Sequence, residues 1–71
     1  MANDICVKFG RRLWELREER GWNQKYLAEI SGIGRTHISQ LENGRREAGL
    51  RMLETLADAF KLRLADLLEG V

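Results

Sequence analysis

Between Gln24 and Asn43, six residues are spaced in a way that few folds accommodate: Leu27, Ala28, Gly32, Ile33, Ile38 and Leu41. Leu27 and Ala28 belong to a short helical stretch, Gly32 frees the backbone for a turn, and Ile38 and Leu41 recur at helical spacing beyond it. Two short helices joined by a turn of about three or four residues must cross steeply. Ala28 is small where it faces the next helix, and a larger side chain there would push the pair apart. Leu27, Ile33, Ile38 and Leu41 fill the wedge between these helices and the remaining core. Jointly, this spacing specifies a helix-turn-helix.

The rest of the chain is punctuated by glycine, mainly Gly21, Gly32, Gly34, Gly44 and Gly49, and contains no proline. Phe9, Leu13, Leu16 and the stem of Arg20 make one apolar face of a first helix that runs up to Gly21. Asn23 is a good N-cap for a second helix from Gln24 to about Ser31, with Trp22 and Leu27 at the positions of a hydrophobic staple. Tyr26 stands where a capping-box Glu would help. A third helix is expected from about Arg35 to Asn43, stopped by Gly44 in the left-handed conformation. A fourth buries Leu50, Leu53, Leu56, Ala57 and Phe60, and a short fifth carries Leu64, Leu67 and Leu68. Strand patterns are missing. The expectation is one all-α, five-helix domain over residues 1–71, its C-terminal part beginning at about residue 50.

A chain of 71 residues buries only about 60% of its unfolded surface and gains from a partner subunit. Hydrophobic residues at 44% and charged residues at 32% describe an ordinary soluble globular protein. No apolar run suits a membrane and no leader suits export, so a cytoplasmic protein is expected. Cys6 is the one cysteine; with no His or Cys nearby it reads as a small residue at the start of a helix, not as a metal ligand. The sequence has no paired carboxylates, nucleophile–base pair or phosphate-cradling loop, and leaves little room for a pocket. No enzyme activity, cofactor or small-molecule ligand is expected. Net charge is +1, but Met1–Arg51 carries ten Lys/Arg against seven Asp/Glu while Met52–Val71 carries two against four. One end is basic and the other acidic, as suits a first end that meets phosphates.

Leu16-Arg17, Trp22-Asn23-Gln24, Leu27-Ala28, Gly32-Ile33, Ile38-Ser39, Leu41-Glu42-Asn43-Gly44 and Leu53 through Ala59 together resemble the Cro and phage-repressor-like family of bacterial regulators, also called the xenobiotic-response-element family. The stretch Gly34–Ser39 and the chain length are most similar to controller proteins of restriction–modification systems, small dimeric regulators that activate or repress their own operon. Small prophage repressors share much of the pattern. The rival from another class is an antitoxin-like protein-interaction module, which the polar groups at Arg35, Thr36 and Gln40 disfavour.

The resemblance implies a lambda-repressor-like fold whose third helix enters the major groove of double-stranded operator DNA. Arg35 would be the main base reader, bonding guanine O6 and N7 together, with Thr36, Ser39 and Gln40 beside it and adenine the ideal base for Gln40. Gln24, His37, Asn43, Arg45, Arg46 and Arg51 would contact phosphates. Arg17 and Glu42 would form a half-buried ion pair between the first and third helices. A homodimer is implied, with Leu64, Ala65, Leu68 and Val71 as interface candidates and RNA polymerase as a further candidate partner. Trp14, about 140° around the first helix from Phe9, lies outside the central core and is divided between the dimer seam and plain surface. Three places depart from the family pattern. Gly34 replaces a Ser or Thr cap, Ala48-Gly49 replaces Pro-Ser, and Lys61 stands where a helix-ending glycine is common.

Overall fold

In the computed structural model, which describes residues 4–71, five helices follow one another: α1 (Ile5–Glu19), α2 (Gln24–Ser31), α3 (Arg35–Glu42), α4 (Leu50–Phe60) and α5 (Leu64–Leu67). There is no strand among the described residues. The first three residues of the expected 1–71 domain lie outside them. α1 packs on α3, α2 on both α3 and α4, and α4 on α5. Phe9, Leu13 and Leu16 of α1 meet Leu27, Ile33, Ile38, Leu41, Leu56, Ala57, Phe60 and Leu67 in a single core.

Helix ends account for much of this arrangement. The Asp4 side chain accepts the Cys6 N–H at 2.7 Å and caps α1. That backbone bond holds the Asp4 carboxyl below its usual range, so the cap persists above that range and is lost as pH falls through the lowered value. Asn23 caps α2 by accepting the Tyr26 N–H. Gly34 and Gly49 start α3 and α4 with no side-chain cap.

Three helices stop by the same device. At the end of α1, Trp22 N–H donates to Arg17 O and Gly21 N–H to Glu18 O; Arg45 and Gly44 repeat this at α3, Leu62 and Lys61 at α4. Each is a Schellman motif, whose C′ residue must be left-handed. Gly21 and Gly44 adopt it at φ 68° and 69°, whereas Lys61 adopts it at 58°, the only non-glycine to do so among the described residues.

One expectation about the core needs correction, and one core position had not been anticipated. Leu50 is 78% exposed, although it shares the apolar face of Leu53, Leu56, Ala57 and Phe60. It is the first residue of α4, and its Cβ leans toward the helix N-terminus, past the edge of the core. Gly10, which carries no apolar signal, is buried inside α1. A Cβ there would come within 2.6 Å of Glu42 O and closer still to Leu41 O. The missing side chain is what lets α1 and the end of α3 touch backbone to backbone.

Gly10→Ala should therefore destabilise by about 1–3 kcal/mol through overpacking, even though alanine is the better helix former. Urea unfolding checks this, and equal or greater stability would show that the approach is not tight. Lys61→Gly should stabilise by about 0.5–1 kcal/mol by relieving the left-handed strain. For a domain this small the same change raises Tm by roughly 2–8 °C, which thermal melting would show.

Candidate nucleic-acid interface

α3 divides cleanly around its axis. Ile38 and Leu41 are fully buried, and the successive rotation of about 100° per residue places Arg35, Thr36, Ser39 and Gln40 on the opposite arc. Arg35 and Thr36 are exposed, Ser39 and Gln40 half-buried, and His37 sits half-buried at the edge. The turn that sets this helix down is held locally. Gly32 is left-handed at φ 76°. Ser31 Oγ donates to Leu27 O and accepts from the Ile33 N–H, bridging the turn with one hydroxyl.

Behind the arc lies a polar junction. Arg17 Nε donates to Glu42 Oε2 at 2.7 Å and Arg17 Nη2 to Oε1 at 3.1 Å, a two-pronged pair. The third arm, Nη1, reaches Trp22 O at 2.7 Å and lies 3.3 Å from Glu18 Oε2. Gln24 Nε2 completes the coordination of Glu42 Oε1 at 3.0 Å. The two paired side chains are only 9% and 5% exposed, so the pair is buried and not half-buried. Its hydrogen bonds hold the Arg17 guanidinium above its usual pKa, against the opposing pull of burial. One carboxylate thus joins α1, the turn after it, the start of α2 and the end of α3.

The remaining candidates fall into distinct settings. Gln24 gives one amide hydrogen to Glu42, which leaves the second available to a ligand. Asn43 Nδ2 donates to Ser39 O at 2.8 Å, with Ser39 Oγ at 3.5 Å. Its side chain finishes α3, and an amide nitrogen with two hydrogens keeps one to offer an anion. Arg46 Nη1 donates to Gln40 Oε1 at 3.1 Å, and Arg45 is exposed beside it. Arg51 stands apart, bordering a groove with Leu50, Leu62 and Leu64.

The four C-terminal apolar candidates do not share one surface. Leu64 lines that groove, whereas Leu68 and Val71 line another, of about 340 Å³, with Ile5, Phe9 and Leu53. Ala65 is exposed, and Trp14 is 48% exposed.

Two arginines escaped the sequence reading. Arg12 Nε and Nη2 donate to Leu67 O and Asp66 O, capping α5. Arg20, read only as an apolar stem, donates to Phe60 O at the end of α4. Its guanidinium lies 4.9 Å from the Phe60 ring centre and 5.7 Å from that of Trp22. Their partners are 40 to 55 residues away, so no local pattern marks them. Gly10 did leave a signal, a glycine beside the core residue Phe9 in a helix interior. With Arg12, Arg17 and Arg20 engaged internally, the basic groups left around the α3 arc are Lys25, Arg35, Arg45 and Arg46. No group of His, Cys, Asp and Glu able to hold a metal occurs among the described residues, and none of their helices is long and apolar enough to cross a membrane.

Arg17→Ala should cost about 3–5 kcal/mol, because it leaves Glu42 charged and buried. Arg17→Met with Glu42→Leu should cost less than that single change, since no buried charge is stranded. Chemical denaturation of the three proteins compares them. A double variant no better than the single one would mean that the ion pair itself is not the source of the loss.

Comparison with known proteins agrees with this geometry. Residues 15–67 match the family model described as Helix-turn-helix. Control protein C.MunI of Mycoplasma sp is 33% identical over 97% of this chain and 95% of its own. The HTH-type transcriptional regulator DdrOP3 of Deinococcus deserti is 42% identical over 92% of this chain, which spans half of that protein's length. Among solved structures, the restriction–modification controller protein C.AhdI of Aeromonas hydrophila is 39% identical. It superposes with a TM-score of 0.84 over 87% of this chain and 94% of its own. The chain belongs to the helix-turn-helix family of transcriptional regulators, of the xenobiotic-response-element type, and is related to the controller proteins of restriction–modification systems.

Proposed function

We propose that this chain binds a palindromic operator in double-stranded DNA as a homodimer and regulates its own operon in the manner of a restriction–modification controller. The observation that carries the reading is the exposed polar arc of α3 opposite a fully buried apolar one. An α-helix with its side chains is about 10–12 Å across, which fits the width of the major groove, about 12 Å. Arg35 and Thr36 open the arc at the helix N-terminus, the end that reaches base edges in helix-turn-helix proteins. Arg35 presents the fork that guanine O6 and N7 accept. Gln24, His37, Asn43, Arg45 and Arg46 flank the arc as phosphate contacts and Arg51 lies further out.

Two considerations support a dimer. One domain reads too few bases for specificity, and two half-sites lie about 34–36 Å apart on one face of DNA. Leu50 and Leu64, both exposed, give the C-terminal half an apolar surface that a second copy would cover. Leu68 and Val71 line a separate groove with Ile5 and Phe9, a second apolar surface open to a partner, and Ala65 is exposed on α5.

Footprinting on the DNA upstream of its own gene, with a salt titration, tests this reading. A protected two-fold site is expected, with affinity falling steeply with salt. No protection, or affinity indifferent to salt, would refute it. Arg35→Ala should cost about 1–3 kcal/mol on the specific site and relax discrimination there. Arg45→Ala should weaken specific and random DNA alike and lower the salt slope by about two per dimer. Equal losses on both DNAs for both variants would show these roles to be misassigned.

A further inference from the structure

α5 is four residues long, too short to persist on its own propensity. No side chain caps its start, and its exposed Arg63–Asp66 pair adds little. Leu67 is fully buried, with Leu68 and Val71 packed partly on the core after it. Apolar contacts of this kind have no direction, so they resist separation better than tilting or sliding. Arg12 of α1 supplies the direction. Its Nε donates to Leu67 O at 3.2 Å and its Nη2 to Asp66 O at 2.7 Å, so one planar fork grips two consecutive carbonyls. Both acceptors are backbone atoms, and the arginine is half-buried against them.

The same short helix forms one wall of an open groove against α4. Arg63 and Leu64 stand on the α5 side, and Leu50, Arg51, Glu54 and Asp58 on the α4 side. Leu50 and Leu64 are exposed apolar side chains, and the four charged residues are two arginines and two carboxylates. A two-fold axis brings one surface against itself. A face of balanced charge does not repel its own copy, as a face of one sign would. Arg12 is not among the residues of this groove; it holds α5 from α1.

We propose that a second copy of this chain docks in the groove between α4 and α5, and that Arg12 is the positioning residue that holds the α5 wall. This rests on the homodimer reading above. Leu50 belongs to α4, which the core fixes through Leu56, Ala57 and Phe60. Leu64 belongs to α5, whose direction Arg12 sets. When α5 tilts, Leu64 shifts against Leu50 and the two no longer make one surface for a copy to cover. In a two-fold interface the same error enters from both protomers. Arg12 acts on self-association through α5 and not as a contact.

The test measures self-association of the full chain by sedimentation equilibrium, in conditions where urea unfolding shows each variant to be folded. The variants are R12A, R12K, L64D and G10A. R12A should weaken the dimer by about tenfold or more, because hydrogen bonds from a charged donor are lost. R12K should recover part of this, since an ammonium still reaches one carbonyl; should R12A not fold, R12K alone decides, by a severalfold weakening. L64D should abolish the dimer by placing a charge in the groove. G10A loosens α1 against α3, so it should lower stability and leave the dimer constant unchanged. In hydrogen exchange, the Leu67 and Leu68 amides, bonded to Arg63 O and Leu64 O, should exchange faster in R12A, while the Gly32 amide of α2 does not. A dimer constant untouched by the Arg12 variants, one lost equally in G10A, or α5 amides indifferent to R12A would each overturn the role of Arg12. A dimer that survives L64D would seat the second copy elsewhere and overturn the docking site, while leaving the homodimer reading intact. A native protein that stays monomeric, with and without DNA, would overturn that reading and this inference together.

Discussion

Burying a carboxylate is costly unless both of its oxygens find donors, and the fold of this protein is organised around meeting that condition for Glu42. Two nitrogens of Arg17 and the amide of Gln24 satisfy it, and a third nitrogen of Arg17 ties in Trp22 O. These groups come from α1, the turn after it, the first residue of α2 and the last of α3. A nonpolar core of the same size could slide by a fraction of a turn and lose little. A two-pronged ion pair cannot, because a small displacement strands a charge. The junction therefore acts chiefly on orientation, holding α3 at one angle to the helices behind it.

Gly10 and Gly44 supply the matching constraint in the backbone. Both bring α1 into direct contact with the end of α3 and the turn that follows, so the recognition helix is gripped near its C-terminus and left exposed at its N-terminus. That asymmetry suits a helix whose N-terminal residues do the reading.

Charge is used in two ways along this short chain. Arg12 and Arg20 neutralise the carbonyl ends of α5 and α4, where a cation complements the helix dipole. Arg17 is consumed by Glu42. A count of basic residues therefore overstates what is available to phosphates.

The helix-turn-helix, the five helices and the polar face of α3 could be read from sequence, because they rest on local periodicity and turn chemistry. Ile38 and Leu41 had to point one way, which left Arg35, Thr36 and Gln40 to point the other. Tertiary structure alone decided which polar groups were already engaged. The capping roles of Arg12 and Arg20, the closure of Asn43 onto Ser39, and the hold of Arg46 on Gln40 depend on where side chains end. Spacing does not encode that. Leu50 shows the same limit for apolar residues, since a perfect position on a helix face buries nothing once the helix outruns the core. The spacing from Leu27 to Leu41 determined what kind of surface this protein presents; packing against α1 decided which hydrogen bonds that surface still has to offer.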